Sequence, residues 1–398
     1  MPLIESIALM HDDMVAWRRD LHRNPELAYA EHRTARVVAD LLRGFGVDEV
    51  VEGVGKTGVV GVIRGDASGR AAGPAVALRA DMDALPIQEQ NDHTYRSLRD
   101  NVMHACGHDG HTAMLLGAAR HLAGTRRFCG TVVLVFQPAE EGQAGAKAMI
   151  DDGLFQRFPV EAIYGLHNMP GLPVGVLAVS PGAIMAAADR FTITLQGHGG
   201  HAAAPHQVRD PVVAGAALVM ALQTVVSRNV APNDTAVLSV TEFHGGEAFN
   251  VVPDSVWLGG TVRYFSPEVG DRVHARIRGI LNGIAAAHDV EASLDYRAGY
   301  PPTINSGAEA AFAHSVAVEI NGAGGVIPQK PLMFSEDFSY YLQVKPGAYL
   351  FLGNGGEAGC HGLHNPRYDF SEAILSVGAS LLARLAERSL PPATVKKA

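Results

Sequence analysis

From about Ile4 to Phe45, apolar positions recur at helical spacing, which predicts two amphipathic helices broken at Asn24–Pro25 and ended by Gly44 and Gly46. The runs then shorten. TGVVGVI (57–63) and AVALRA (75–80) read as strands, separated by the turn-rich GDASGRAAGP. TAMLLGAARHLAG (112–124) is helical in period, TVVLVF (131–136) a buried strand, AGAKAMIDDG (144–153) a helix ended by Gly153, and AIYGL (162–166) another strand. Strands alternating with helices predict an α/β domain with a largely parallel sheet.

Near Pro181 the pattern changes. FTITLQG reads as a strand, PVVAGAALVMALQTVV (211–226) as a helix, AVLSVTEFHGG and VWLGGTVRYF as strands, VGDRVHARIRGILNGIAAAH as a helix and VEASLDYR as a last strand. That β-α-β-β-α-β order is the one of a ferredoxin-like α+β sandwich of roughly 110 residues. After Pro301 the α/β pattern returns, with a helix over 308–321, a strand AYLFLG (348–353) and a helix over 371–387. The simplest organisation is a catalytic domain built from 1–184 and 299–398, with a smaller domain, 185–298, inserted in it.

The 398-residue length, 47 % apolar and 18 % charged, suits a globular chain with more than one core. A net charge of -9 argues against an extended nucleic-acid surface and for small-molecule chemistry. Three cysteines, Cys106, Cys129 and Cys360, are too few and odd in number for a disulfide framework, so a reducing cytoplasm is the expected home. The N-terminal segment lacks a secretory pattern, no apolar run looks long enough to cross a membrane, and the final SLPPATVKKA reads as a frayed tail.

The candidate chemistry begins with HACGHDGH (104–111), three histidines, a cysteine and an aspartate in eight residues. A thiolate and imidazoles so close together suit zinc, nickel, cobalt or manganese, although a polar loop capping the next helix would use similar residues. Other chemistry-bearing residues fall where parallel strands end, the rim on which α/β sheets build sites: Asp81 and Asp83, Glu140 and Glu141, His167, and His364 in a late loop. Glu140–Glu141 could be an acidic helix start, but adjacent carboxylates also suit a division of labour between a metal ligand and a free base. His167 could be a core-edge histidine, and His22, His32 and His121 sit on helical patterns as ordinary residues. Cys129 and Cys360 read as bystanders.

In order along the chain, HACGHDGHTAMLLGAA, FQPAEEGQAGAKAMIDDG, GLHNMP, GHGGHAAAPH, NVVPD, GTVR, SEDFSYY and GLHNP closely resemble the hippurate hydrolase and indole-acetyl-amino-acid hydrolase group of N-acyl-amino-acid amidohydrolases, within the aminoacylase and dimetal exopeptidase superfamily. The resemblance implies two divalent ions (Zn, Mn, Ni or Co), an inserted lid or dimerisation domain, a homodimer or higher homo-oligomer, and hydrolysis of an N-acyl amino acid. It implies Cys106, His108, Glu141, His167 and His364 as metal ligands, Glu140 as the general base for the attacking water, and Asp83 as a carboxylate orienting a ligand from behind. Asp81 stands where the wider superfamily has a histidine ligand. His201 matches a lid-domain histidine that reaches an active site across the dimer and polarises the scissile carbonyl, while Asn250 and Arg263 match substrate-holding positions. A dipeptidase or aminopeptidase of the same superfamily, and a non-catalytic metal-binding protein, are the rival readings.

Overall fold

The computed structural model describes residues 3–66, 73–356 and 361–392; Cys360, part of the turn-rich segment and the end of the C-terminal tail lie outside them. The chain divides into two compact units. One comprises 1–182, 304–330 and 337–398, the other 183–303 and 331–336, a slightly wider second unit than the expected 185–298.

The first unit is an α/β fold around an eight-stranded mixed sheet. Its strands run in the order Glu49–Val54, Gly58–Arg64, Thr131–Gln137, Ala75–Asp81, Ala162–Pro170, Gly347–Gly355, Leu177–Ala178, Val326–Ile327. The four central strands, from Thr131–Gln137 to Gly347–Gly355, are parallel, and both flanks carry antiparallel pairs. TVVLVFQ and GAYLFLGNG are buried almost throughout, because helices cover both faces of a parallel sheet. The helices His108–Thr125 and Leu375–Ser389 pack closely against each other; a Cβ at Gly378 would collide with the Met114 sulfur, so glycine sets their approach.

Three differences from the sequence reading have physical causes. The first N-terminal helix is split at Met10 into Glu5–Leu9 and His11–Arg23, so three helices precede the sheet instead of two. Glu49–Val54 is an edge strand with an exposed, charged pattern that hides it from a hydrophobicity reading. The helix expected from 112 begins at His108, which places the second half of HACGHDGH on its first turns.

The second unit is a four-stranded antiparallel sheet, ordered Ala236–His244, Ser255–Tyr264, Asp189–Gln196, Glu291–Arg297, with helices Pro211–Asn229 and Pro267–His288 packed on it. Its core is separate, built from Phe191, Ile193, Leu218, Leu222, Leu258, Val273 and Ile277 among others. The expectation of no membrane-length apolar segment needs correction: Pro211–Asn229 is 19 residues long with a mean hydropathy of 1.5, enough by length and composition to cross a bilayer. Within the unit only one face of it is buried. Ala214, Leu218, Leu222 and Val225, at helical spacing, face the sheet, while Val213 and Met220 are exposed.

Candidate metal centre

The parallel strands deliver their C-terminal residues to one rim of the first unit. Ala75–Asp81 runs into Asp83, Thr131–Gln137 into the Glu140–Glu141 loop, and Ala162–Pro170 carries His167. The acidic loop has an unusual backbone: Ala139, Gly142 and Ala144 all have positive φ, which L side chains adopt only where surroundings enforce it. The enforcing contacts are visible. Asp83 accepts the Glu140 N–H on Oδ1 and the Glu141 N–H on Oδ2, each at 2.9 Å, and Glu31 accepts the Ala139 N–H at 2.8 Å. His364 is held similarly, at φ 63°, with its N–H donating to the Ala105 carbonyl at 2.8 Å.

These backbones bring together six of the expected residues. Ligand-type atoms of Cys106, His108 and His167 lie within 4.8 Å of one another, as do those of Cys106, Glu141 and His364, and those of His108, Glu140 and Glu141. Cys106 Sγ is 3.4 Å from His167 Nε2, and His364 Nε2 is 3.2 Å from Glu141 Oε1. His108 Nδ1 donates to the Asp83 carbonyl at 2.9 Å, and His167 Nδ1 to the Asn168 carbonyl at 2.6 Å, so in both rings Nε2 is turned to the cluster. His108 Nε2 is buried and has no hydrogen-bond partner, an arrangement that costs free energy unless a cation takes its lone pair. Soft sulfur, imidazole and carboxylate in overlapping groups suit two divalent ions.

The electrostatics agree. Burial, then the carboxylates of Glu141, Glu140 and Asp81, push the Cys106 thiol well above its ordinary value. Burial pulls His108 down, but Asp81, Asp83 and Glu141 outweigh it and raise the group to about 10. Burial and neighbouring His111 hold His167 well below the ordinary imidazole value. The pocket is thus over-supplied with negative charge that a cation would neutralise.

Behind this cluster lies a layer that sequence reading mostly missed. Asp81 is shut from solvent, paired with Arg79 at 2.6 Å and with His111 Nδ1 at 2.7 Å; burial would raise its pKa, yet His108, Arg79 and His111 hold it well below the usual carboxylate range. The opposite edge of His111 meets Asn168 Oδ1 at 2.7 Å, and Asn168 Nδ2 donates to the Tyr368 hydroxyl at 2.5 Å. Gly107 is at φ 91°, and a Cβ there would strike the Asn168 side chain and the Tyr368 hydroxyl. Asp109 pairs with Arg18 and His22, both at 2.8 Å, and His22 continues to Glu89 at 3.3 Å. His22 is therefore no ordinary helical residue but is fully buried in an ion network. The helix-capping reading of HACGHDGH also fails, because the N-cap is Gly107 and no side chain caps it. A signal for this layer existed: arginine in the apolar run AVALRAD is costly to bury without a partner.

In the second unit, His201 and Asn250 are exposed neighbours. The two-residue strand Gly200–His201 pairs with Val251–Val252, and the Ala202 N–H donates to the Asn250 carbonyl at 3.0 Å. Arg263 sits apart on the strand Ser255–Tyr264, half-buried, donating to Thr261 Oγ1 and to the Val262 carbonyl. Cys129 is a free, partly exposed thiol.

A parallel-centred α/β sheet with this donor set at its rim defines a dinuclear metal-binding protein. The chain belongs to the peptidase family M20/M25/M40, whose model matches residues 77–388. It is 43 % identical to the hippurate hydrolase of Campylobacter jejuni over 98 % of this chain and 100 % of that protein. It is 39 % identical to the N-acetyl-L-cysteine deacetylase of Bacillus subtilis, covering 97 % of this chain and 90 % of the relative. Among solved structures, the Bacillus subtilis YXEP protein, a dinuclear metal binding peptidase from the M20 family, superposes with a TM-score of 0.84 at 34 % identity, covering 97 % of this chain and 99 % of that one.

Proposed function

We infer that this chain is a metal-dependent amidohydrolase that cleaves N-acyl amino acids into a carboxylate and an amino acid. One observation carries the reading: Glu140 and Glu141 are adjacent, with both N–H groups fixed on one carboxylate, so one can ligate while its neighbour is presented to the same space. On this reading Cys106, His108, Glu141, His167 and His364 hold two divalent ions, drawn from zinc, manganese, nickel and cobalt. Bound there, the ions would supply Lewis acidity, bringing water towards neutral pKa and polarising the amide carbonyl.

The chain's own groups do the rest. Glu140 takes a proton from the attacking water as its oxygen bonds to the acyl carbon, then returns it to the amine nitrogen as the C–N bond breaks. Asp83 fixes the direction of Glu140 through the backbone and orients His108 through its carbonyl. His201, Asn250 and Arg263 are assigned to holding the substrate, His201 at the scissile carbonyl. Names of the relatives, a hippurate hydrolase and an N-acetyl-L-cysteine deacetylase, support an acyl-blocked substrate. On the resemblance we further assign the chain to a homodimer or higher homo-oligomer, and on its few cysteines to a reducing cytoplasm. The experiment is direct. Protein loaded with each metal in turn is given benzoylglycine, N-acetylcysteine and glycylglycine, and amine release is followed. Cleavage of the blocked substrates is expected; cleavage of glycylglycine alone would assign a dipeptidase.

A further inference from the structure

Asp337, in the SEDFSYY segment, is a carboxylate with no exposure, and no role in binding or chemistry has fallen to it so far. Donors from three sides reach it. Gln137 Nε2 donates to both of its oxygens, at 2.8 and 2.9 Å, the Ala146 N–H donates to Oδ2 at 2.9 Å, and Arg79 Nη2 donates to Oδ1 at 3.1 Å. Arg79 itself spans the cluster, with Nε on Gln137 Oε1 at 2.8 Å and Nη1 on Asp81 Oδ2 at 2.6 Å.

The positions of these donors are informative. Gln137 is the last residue of its strand and Ala146 lies in the first turn of the helix Gly145–Asp151, so they are the two feet of the loop bearing Glu140 and Glu141. Asp83 holds the crown of the same loop. Between the feet, Ala139 and Ala144 have positive φ, a conformation that non-glycine residues keep only when it is over-determined. A carboxylate oxygen of Asp337 also lies within 4.8 Å of one of Glu140, so its charge must be balanced, as the Arg79 guanidinium does. A buried ion pair contributes little net stability compared with apolar packing of the same volume, so this one calls for a positional explanation.

We propose that Asp337, with Arg79, is a positioning residue: it clamps both feet of the acidic loop so that Glu140 and Glu141 keep their separate directions. The proposal rests on the assignment of Glu140 as base and Glu141 as ligand. Asp337→Asn is the sharpest variant, because it keeps the volume but turns an acceptor into a donor facing the donors of Gln137, Ala146 and Arg79.

Apo protein is titrated with cobalt and followed by its visible spectrum, and cobalt-saturated protein is assayed on benzoylglycine. Asp337→Asn should weaken cobalt binding and alter the spectrum. At saturating cobalt it should lower kcat by about 10- to 100-fold with KM unchanged, since a small misplacement of a reacting group has that scale of effect. In an Glu140→Gln background the further loss of kcat should vanish, because Asp337 would act through Glu140. Gln137→Met, which removes one foot only, should show the same cobalt and kcat changes more weakly and serves if Asp337→Asn does not fold. Wild-type cobalt binding and kcat in folded variants would overturn the clamp, and so would an equal loss of kcat in both backgrounds. If the parent protein cleaves no blocked substrate, the amidohydrolase reading fails while the cobalt titration still decides the clamp.

Discussion

Two neighbouring glutamates with different tasks are the smallest unit of this site. Glu140→Gln keeps the shape and both backbone hydrogen bonds to Asp83 while removing the proton acceptor. It should retain two ions per chain by elemental analysis and lose turnover by about 10²- to 10⁴-fold, the usual worth of a positioned general base. Near-normal turnover would remove Glu140 from that role. Cys106→Ser tests the ligand set, since a hydroxyl is a poor substitute for a thiolate. The variant should hold fewer than two ions after dialysis and lose most of its activity; two ions retained would take Cys106 out of the coordination sphere. In the sequence, residue types at this scale were legible and their partners were not. His22 looked ordinary on its helix, yet it bonds to Asp109, 87 positions away.

At the scale of elements, the helix that starts at His108 decides how HACGHDGH is used. Gly107 carries the left-handed turn into it, so Gly107→Ala combines a strained φ with a collision at Asn168 and Tyr368. It should lose about 1–3 kcal/mol in denaturant unfolding, and an unchanged midpoint would show that the turn is not fixed as described. The ion network behind the helix makes a prediction in pH. Burial and Arg18 lower His22, but Asp109 and Glu89 outweigh them and raise its pKa above the ordinary 6.5. Burial would raise Glu89, but His22 with Ser97 and Asn91 brings it below the ordinary 4.5. The raised histidine contributes stability that is full below 6.5 and lost as pH rises through its folded value. The lowered glutamate contributes stability that is full above 4.5 and lost as pH falls through its folded value. The stability difference between the parent and His22→Gln should therefore be largest between pH 4.5 and 6.5 and shrink on the alkaline side. A difference that grows with pH would contradict the pairing.

For the whole molecule, metal should be both catalytic and structural, because ligands from four separate stretches of chain meet only in the folded state. Chelation should abolish amide cleavage and lower Tm, and adding back manganese, cobalt, nickel or zinc should restore both. Retained activity in thoroughly stripped protein would refute the metal-dependent reading.

Sequence alone determined the α/β class, the parallel centre of its sheet and the stock of ligand types. Hydrophobic period reports burial locally, and cysteine, histidine and glutamate carry their chemistry wherever they fall. The resemblance already singled out His108 among the three histidines in HACGHDGH, and only the tertiary structure supplied the contacts that turn it to the cluster. His108 does so because the Asp83 carbonyl occupies its other nitrogen, while His111 is taken up by Asp81 and Asn168. His104 is buried with neither ring nitrogen partnered, and burial lowers it to about 4, so it stays neutral behind the site. The reason is physical: a side chain's role here is set by hydrogen bonds across 25 to 57 positions of chain, and hydrophobic period carries no record of such pairs.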